Sequence, residues 1–206
     1  MKYNKYILGT AQFGLDYGIS NKTGKVDAKE VIKILHLASD IGINTLDTAV
    51  NYGESQKVIS NANLNKFNII SKFPKVPNHQ INLSKWINDV IDLILNDLKL
   101  DCVYGLLAHD AKDFNSEISD EVYCYLSEQK SKGKIQKLGL SIYNVKDFEN
   151  ISTRYNFDII QGPCNIIDNN INTLRSHQGL LDAEIHGRSI FLQGLLLLEK
   201  EKRPKK

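Results

Sequence analysis

Ile43-Asn44-Thr45-Leu46-Asp47-Thr48-Ala49-Val50-Asn51-Tyr52-Gly53-Glu54-Ser55 is the stretch on which the reading of the chain turns. It begins as a short strand pattern, with Ile43 and Leu46 flanking Thr45, and becomes polar at Asp47. Tyr52 follows five residues later, and Gly53 directly after it can supply the positive φ of a tight turn. A carboxylate and a phenol at the exit of a strand suit proton transfer. A free phenol ionises near pH ~10, so an acid role near neutrality calls for neighbours that tune it.

Outward from this stretch, short apolar runs alternate with helical patterns. Strands are expected at residues 6–9, 43–47, 67–71, 103–107, 137–141, 157–161 and 184–192. Helices are expected at 27–41 (stopped by Gly42), 56–61, 83–98, 118–130 (closed by Gly133) and 145–155. A weakly helical segment over 170–181 is broken by Gly179, and 194–199 reads as the start of a further helix. Along 83–98, Trp86, Ile87, Val90, Ile94 and Leu98 fall on one side. The strands are continuous apolar runs rather than alternating ones, the pattern of a parallel sheet covered by helices. The Gly-x-Gly-x-x-Gly fingerprint of a doubly wound dinucleotide fold is absent. Polar residues recur at strand ends, where a (β/α)8 barrel keeps its chemistry. The expected fold is therefore a (β/α)8 TIM barrel, in one domain over residues 1–206, of which seven β/α units are present.

Composition narrows the partners. A formal charge of +2 gives no signal for nucleic acid or an anionic membrane. Cys102, Cys124 and Cys164 are odd in number and widely spaced, which points to a reducing compartment rather than a disulfide framework. No run approaches the roughly 18 apolar residues of a membrane helix, and the first residues carry no signal-peptide pattern, so the expected location is cytoplasmic.

The strand ends collect Asp47 and Tyr52, then Lys72, then His109. Neighbouring strands lie about 4.8 Å apart, so these side chains can share one pocket. An ammonium beside a phenol favours phenolate, and a carboxylate keeps that ammonium charged and oriented. Moving a phenol from about 10 towards 7 takes roughly 4 kcal/mol, within reach of a lysine–aspartate pair in a partly dry pocket. Singly, these residues read as a turn, a solvated lysine and a loop histidine. Their succession at strand ends favours an active site.

Asp47-Thr48-Ala49-Val50-Asn51-Tyr52-Gly53, Ile70-Ser71-Lys72-Phe73 and Leu106-Leu107-Ala108-His109-Asp110 together resemble the aldo-keto reductase family. Gly139-Leu140-Ser141-Ile142-Tyr143-Asn144, Ile160-Gln161 and Arg188-Ser189-Ile190-Phe191-Leu192-Gln193-Gly194 extend the likeness over nearly the whole chain. The resemblance implies carbonyl reduction with NADPH or NADH and no metal, acting on a small-molecule carbonyl substrate. It implies Tyr52 as general acid, Lys72 and Asp47 as its tuners, and His109 orienting the substrate. Ser141 and Gln161 would hold the nicotinamide carboxamide, with Asn144, Arg188 and Ser189 as further cofactor contacts.

Two positions depart from the family pattern. Arg188 falls where many relatives carry an aromatic ring that stacks on the nicotinamide. Gln56 falls where glutamate is frequent, a change that reads as a harmless surface substitution. The family's eighth strand and much of its phosphate grip fall beyond residue 206, so a weak reductase with open, self-associating sheet edges is expected. Two other readings compete: a cofactor-binding or inactive barrel with little turnover, and a Schiff-base barrel built on Lys72, which leaves Tyr52, Ser141 and Gln161 without a role.

Overall fold

The computed structural model describes residues 5–77, 82–176 and 182–203. Seven strands form one sheet: β1 (Leu8–Gly9), β2 (Thr45–Asp47), β3 (Asn68–Phe73), β4 (Val103–Ala108), β5 (Ile135–Ser141), β6 (Ile159–Pro163) and β7 (Glu184–Arg188). Every neighbouring pair is parallel, and the spatial order follows the chain. Helices α1 (Ala11–Gly14), α2 (Ala28–Asp40), α3 (Ser55–Ile59), α4 (Leu83–Leu98), α5 (Ser119–Ser131) and α6 (Val145–Ser152) lie between the strands. The result is a curled half-barrel, an incomplete (β/α)8 fold. Among the described residues, β1 pairs only with β2 and β7 only with β6.

Local chemistry sets the helices. The Asp27 side chain accepts from Lys29 N, starting α2, and Gly42 at φ 90° follows its end. The Asn82 side chain accepts from Lys85 N, and α4 then buries Leu83, Ile87, Ile91, Ile94, Leu95 and Leu98. Lys99, at φ 54°, turns the chain out of that helix. These apolar faces meet Leu46, Ile69, Leu106, Leu138, Leu140 and Ile160 in the main core between sheet and helices. Ile70, Leu107 and Ile159 form a second, smaller cluster.

Several expected boundaries move. Lys72 lies within β3 rather than after it, because the ladder runs on through the pairs Lys72–Leu107 and Phe73–Ala108. The strand expected over 184–192 ends at Arg188, since Ser189, Leu192 and Gln193 have φ of 57°, 49° and 56°. Left-handed backbone cannot continue a strand. After Gly194 the chain forms short 3₁₀ turns, Leu195–Leu197 and Lys200–Lys202, in place of an α-helix. Residues Asn170–Ser176 form a 3₁₀ segment, and Gly179 lies outside the described residues. Among the described residues, no helix is long and apolar enough to cross a membrane.

Candidate active site

After Asp47 the chain leaves the sheet but stays stitched to it. Thr48 N donates to Ile70 O (2.8 Å) and Val50 N to Lys72 O (3.1 Å), so the loop climbs along β3. Tyr52 N donates to Ala49 O and Ser55 N to Tyr52 O, both at 3.1 Å, closing the turn that carries the phenol. That turn packs directly on the end of α1. A Cβ on Gly14 would meet Tyr52 O at 1.8 Å, and one on Gly53 (φ 58°) would meet Gly14 O at 2.6 Å. Glycine is required at both places for Tyr52 to sit where it does. Beneath the turn, Ser55 Oγ donates to Thr10 O (2.9 Å) and accepts from Thr48 Oγ1 (3.3 Å), all three residues being fully buried.

Lys72 is 1% exposed. Its Nζ donates to Asp47 Oδ1 at 2.6 Å and to Thr48 O at 3.1 Å. The other carboxylate oxygen, Oδ2, accepts from Gln161 Nε2 at 2.7 Å. The buried ammonium is thus matched by a carboxylate whose two oxygens are both engaged, which is what burial of such a pair requires. Lys72 Nζ lies 5.2 Å from the centre of the Tyr52 ring, and the His109 ring meets Tyr52 edge-on with centroids 6.0 Å apart. The structure therefore brings Asp47, Tyr52, Lys72, His109 and Gln161 together at the carboxyl ends of the strands. Ser141, 2% exposed, stands beside Gln161 in the β5–β6 register.

The electrostatics differ from the sequence expectation. Burial, and then the Asp47 charge, push the Tyr52 phenol well above its usual range, whereas Lys72 was expected to lower it. Burial is the larger cause, and Asp47, which holds the ammonium at 2.6 Å, adds its own charge in the same direction. Arg188 acts in the opposite direction on the phenol. For His109, burial and then the Lys72 charge hold the imidazole below its usual value, and its Nδ1 is buried without a partner.

The other expected contacts divide. Asn144 caps α6, its side chain accepting from Lys146 N (3.0 Å) while Asp147 Oδ2 accepts from Asn144 N (3.2 Å). It lines a cleft of about 150 Å³ with Tyr143, Gly162 and Asp168, beside the strand ends. Arg188 NH2 donates to Ile142 O at 3.1 Å, its guanidinium lies 4.4 Å from the Tyr143 ring centre, and its Nε is buried without a partner. Ser189 begins the left-handed turn after β7. Gln56 is not at the surface: it is 3% exposed and donates from Nε2 to Ser71 Oγ at 2.7 Å, bracing β3 behind Lys72.

Sequence reasoning missed one polar group altogether. Tyr104, Lys137 and Glu184, near the amino ends of β4, β5 and β7, bond to one another, with Lys137 Nζ 2.8 Å from Tyr104 Oη. His186 Nε2 lies 2.9 Å from Glu184 Oε2. This group ties β7 to strands two and three places away. No local pattern marks it, because its members are separated by up to 80 residues.

A parallel half-barrel with a buried lysine–aspartate pair beneath a tyrosine and a histidine at its strand ends belongs to the (β/α)8 class of barrel proteins. Within that class, the chain belongs to the aldo/keto reductase family, whose profile matches residues 5–206. Among solved structures it resembles the Bacillus halodurans aldo-keto reductase AKR11C1 in its holo form (18% identity, TM-score 0.76), covering 97% of this chain and 65% of that one. A Pseudomonas aeruginosa protein described as an aldo-keto reductase matches at 24% identity and TM-score 0.69, over 87% of this chain and 70% of its own. The Bombyx mori aldo-keto reductase AKR2E4, solved with NADP, matches at 17% identity and TM-score 0.67, over 89% and 61%. At these identities the likeness shows the fold. No curated protein matches the sequence.

A nicotinamide group fits the residues present. Ser141 and Gln161 are buried polar side chains side by side at the strand ends, and Gln161 keeps its carbonyl oxygen free of the bond its nitrogen makes to Asp47. Among the described residues, no group of three or more His, Cys, Asp and Glu side chains could hold a metal ion.

Proposed function

We propose that the chain reduces an aldehyde or ketone to an alcohol, or runs the reverse reaction, with NADPH or NADH and with Tyr52 as the proton donor. The observation that carries this reading is the Lys72–Asp47 pair, buried at 2.6 Å beneath the Tyr52 ring. Family membership and the NADP in the Bombyx mori enzyme support the cofactor class. The cofactor supplies hydride to the carbonyl carbon; the residues manage the oxygen.

Tyr52 is held protonated by burial and by the Asp47 charge, so the proton is in place but held more tightly than in a free phenol. As hydride reaches carbon, negative charge builds on the carbonyl oxygen and draws the phenolic proton. The phenolate left behind lies near the Lys72 ammonium, 5.2 Å from the ring centre, an attraction that the Asp47 charge offsets in part. Asp47 keeps Lys72 charged and aimed, and Gln161 fixes Asp47. His109, held neutral, donates a hydrogen bond to the same carbonyl oxygen and orients the substrate. Ser141 and Gln161 hold the carboxamide, while Asn144, Arg188 and Ser189 border the mouth.

The test is carbonyl-dependent oxidation of NADPH and of NADH by the purified chain, over a panel of aldehydes and ketones. Oxidation that appears only when a carbonyl is present supports the reading. Cofactor binding with no carbonyl-dependent turnover contradicts it.

A further inference from the structure

We propose that Arg188 anchors an anionic group on the carbonyl substrate, a carboxylate or a phosphate, so that the site selects acidic carbonyl compounds over neutral ones. The carbonyl end of this inference rests on the reductase reading above; the anionic end rests on the surroundings of Arg188.

Arg188 closes β7, in register with Pro163, two residues beyond His186, which is in register with Gln161. It therefore stands at the same strand ends as the tyrosine and histidine. The single hydrogen bond of its side chain among the described residues uses one terminal nitrogen, on Ile142 O. The Tyr143 ring, 4.4 Å from the guanidinium carbon, supports the charged group. Nε is buried with no acceptor, and among the described residues no carboxylate pairs with the group. A guanidinium presents a planar fork of donors that matches carboxylate and phosphate oxygens.

None of the charges around it is a direct partner among the described residues. Lys72 and Asp47 cancel each other at 2.6 Å. Tyr52 and His109 are both held in their neutral forms. Asp110 and Asp168, the acidic residues on the adjoining loops, are turned to backbone amides: Lys112 N at 3.0 Å and Asn170 N at 3.2 Å. Neither forms an ion pair with Arg188 among the described residues. The Arg188 charge acts on both Tyr52 and His109, favouring phenolate and opposing imidazolium. A substrate that places its carbonyl oxygen between Tyr52 and His109 can set an anion against the guanidinium of Arg188, which has no carboxylate partner among the described residues.

The experiment is a ligand-observed NMR titration of the purified full chain. Pyruvate is compared with methyl pyruvate, and dihydroxyacetone phosphate with dihydroxyacetone, while NADPH affinity is measured in parallel. We expect at least one acid to bind about tenfold or more tightly than its uncharged counterpart, the scale of a charge-assisted contact. Which acid is preferred tells carboxylate from phosphate. Arg188→Met should erase the difference, and Arg188→Lys should retain part of it as a point charge. Equal affinity for charged and uncharged probes in the wild-type chain overturns the proposal without reference to any variant. So does an Arg188→Met chain that keeps the acid preference but loses NADPH affinity, which would assign the guanidinium to the cofactor phosphates. Binding of the acids through Arg188 with no carbonyl reduced would sink the reductase reading and leave the anion site standing. Reduction that ignores charge would sink the anion site alone.

Discussion

The side-chain nitrogen of Gln161, on β6, donates to Oδ2 of Asp47, on β2, at 2.7 Å across 114 residues of sequence. The buried Lys72–Asp47 pair is therefore a three-member unit, held from the far side of the half-barrel. Gln161→Leu should leave a carboxylate oxygen short of a donor and cost about 1–3 kcal/mol of stability. Urea denaturation checks this. A midpoint unchanged in Gln161→Leu would mean that Asp47 draws its second partner from water.

Lys72 is nearly inaccessible, and its ammonium has one carboxylate partner. Lys72→Met should strand the Asp47 charge and destabilise the chain by about 3–5 kcal/mol, the usual cost of breaking a buried pair. Lys72→Met combined with Asp47→Leu should recover much of that loss, because an apolar pair carries no desolvation penalty. Denaturation curves for both single variants and the double variant decide it. Additive losses would show that the pair is not coupled.

Much of this site was legible in the chain. Asp47, Tyr52, Lys72 and His109 each follow or end a short apolar run, and parallel strands carry such positions to one rim. Gly53 announced its turn for the same local reason. What was not legible depends on register between distant strands. Gln56 looked like surface until β3 placed Ser71 against it. The Gln161–Asp47 bond, the stacking of Arg188 on Tyr143 and the Tyr104–Lys137–Glu184 group join residues with no shared local pattern. The sign of the Tyr52 shift was misjudged because the expectation weighed the lysine–aspartate pair above the burial of the phenol, which is the larger cause. Strand seven was overdrawn because apolar Ile190, Phe191 and Leu192 read as strand; left-handed backbone at Ser189, Leu192 and Gln193 prevents it.

Asp113 is a buried acid outside the site, 4% exposed, with Oδ1 accepting from Val76 N at 3.2 Å and Oδ2 without a partner. Burial pushes its carboxyl up to about 6. The folded chain then binds more protons than the unfolded one between about 4 and 6, so this group's contribution to stability falls as pH rises through that window. Asp113→Asn should melt higher than wild type at pH 8, and the gap should close by about 1–3 kcal/mol on going to pH 5. A gap independent of pH would contradict the assignment.

The half-barrel leaves β1 and β7 each with one unpaired edge among the described residues. Unpaired edges of parallel sheet invite pairing with another chain. Sedimentation velocity over a dilution series should show the protein self-associating as concentration rises. A single monomeric boundary at the highest concentration would show that these edges are protected.

The central claim is that Tyr52 delivers the proton in carbonyl reduction. The most direct measurement is carbonyl-dependent NADPH oxidation by wild type and by Tyr52→Phe at saturating cofactor, with NADPH affinity of both chains read by fluorescence titration. On the proposed reading the phenol serves the substrate oxygen and not the cofactor phosphates. The account predicts turnover lower by about 10²-fold or more in Tyr52→Phe, with cofactor affinity essentially unchanged. Undiminished turnover in Tyr52→Phe would contradict it and hand the proton to another residue.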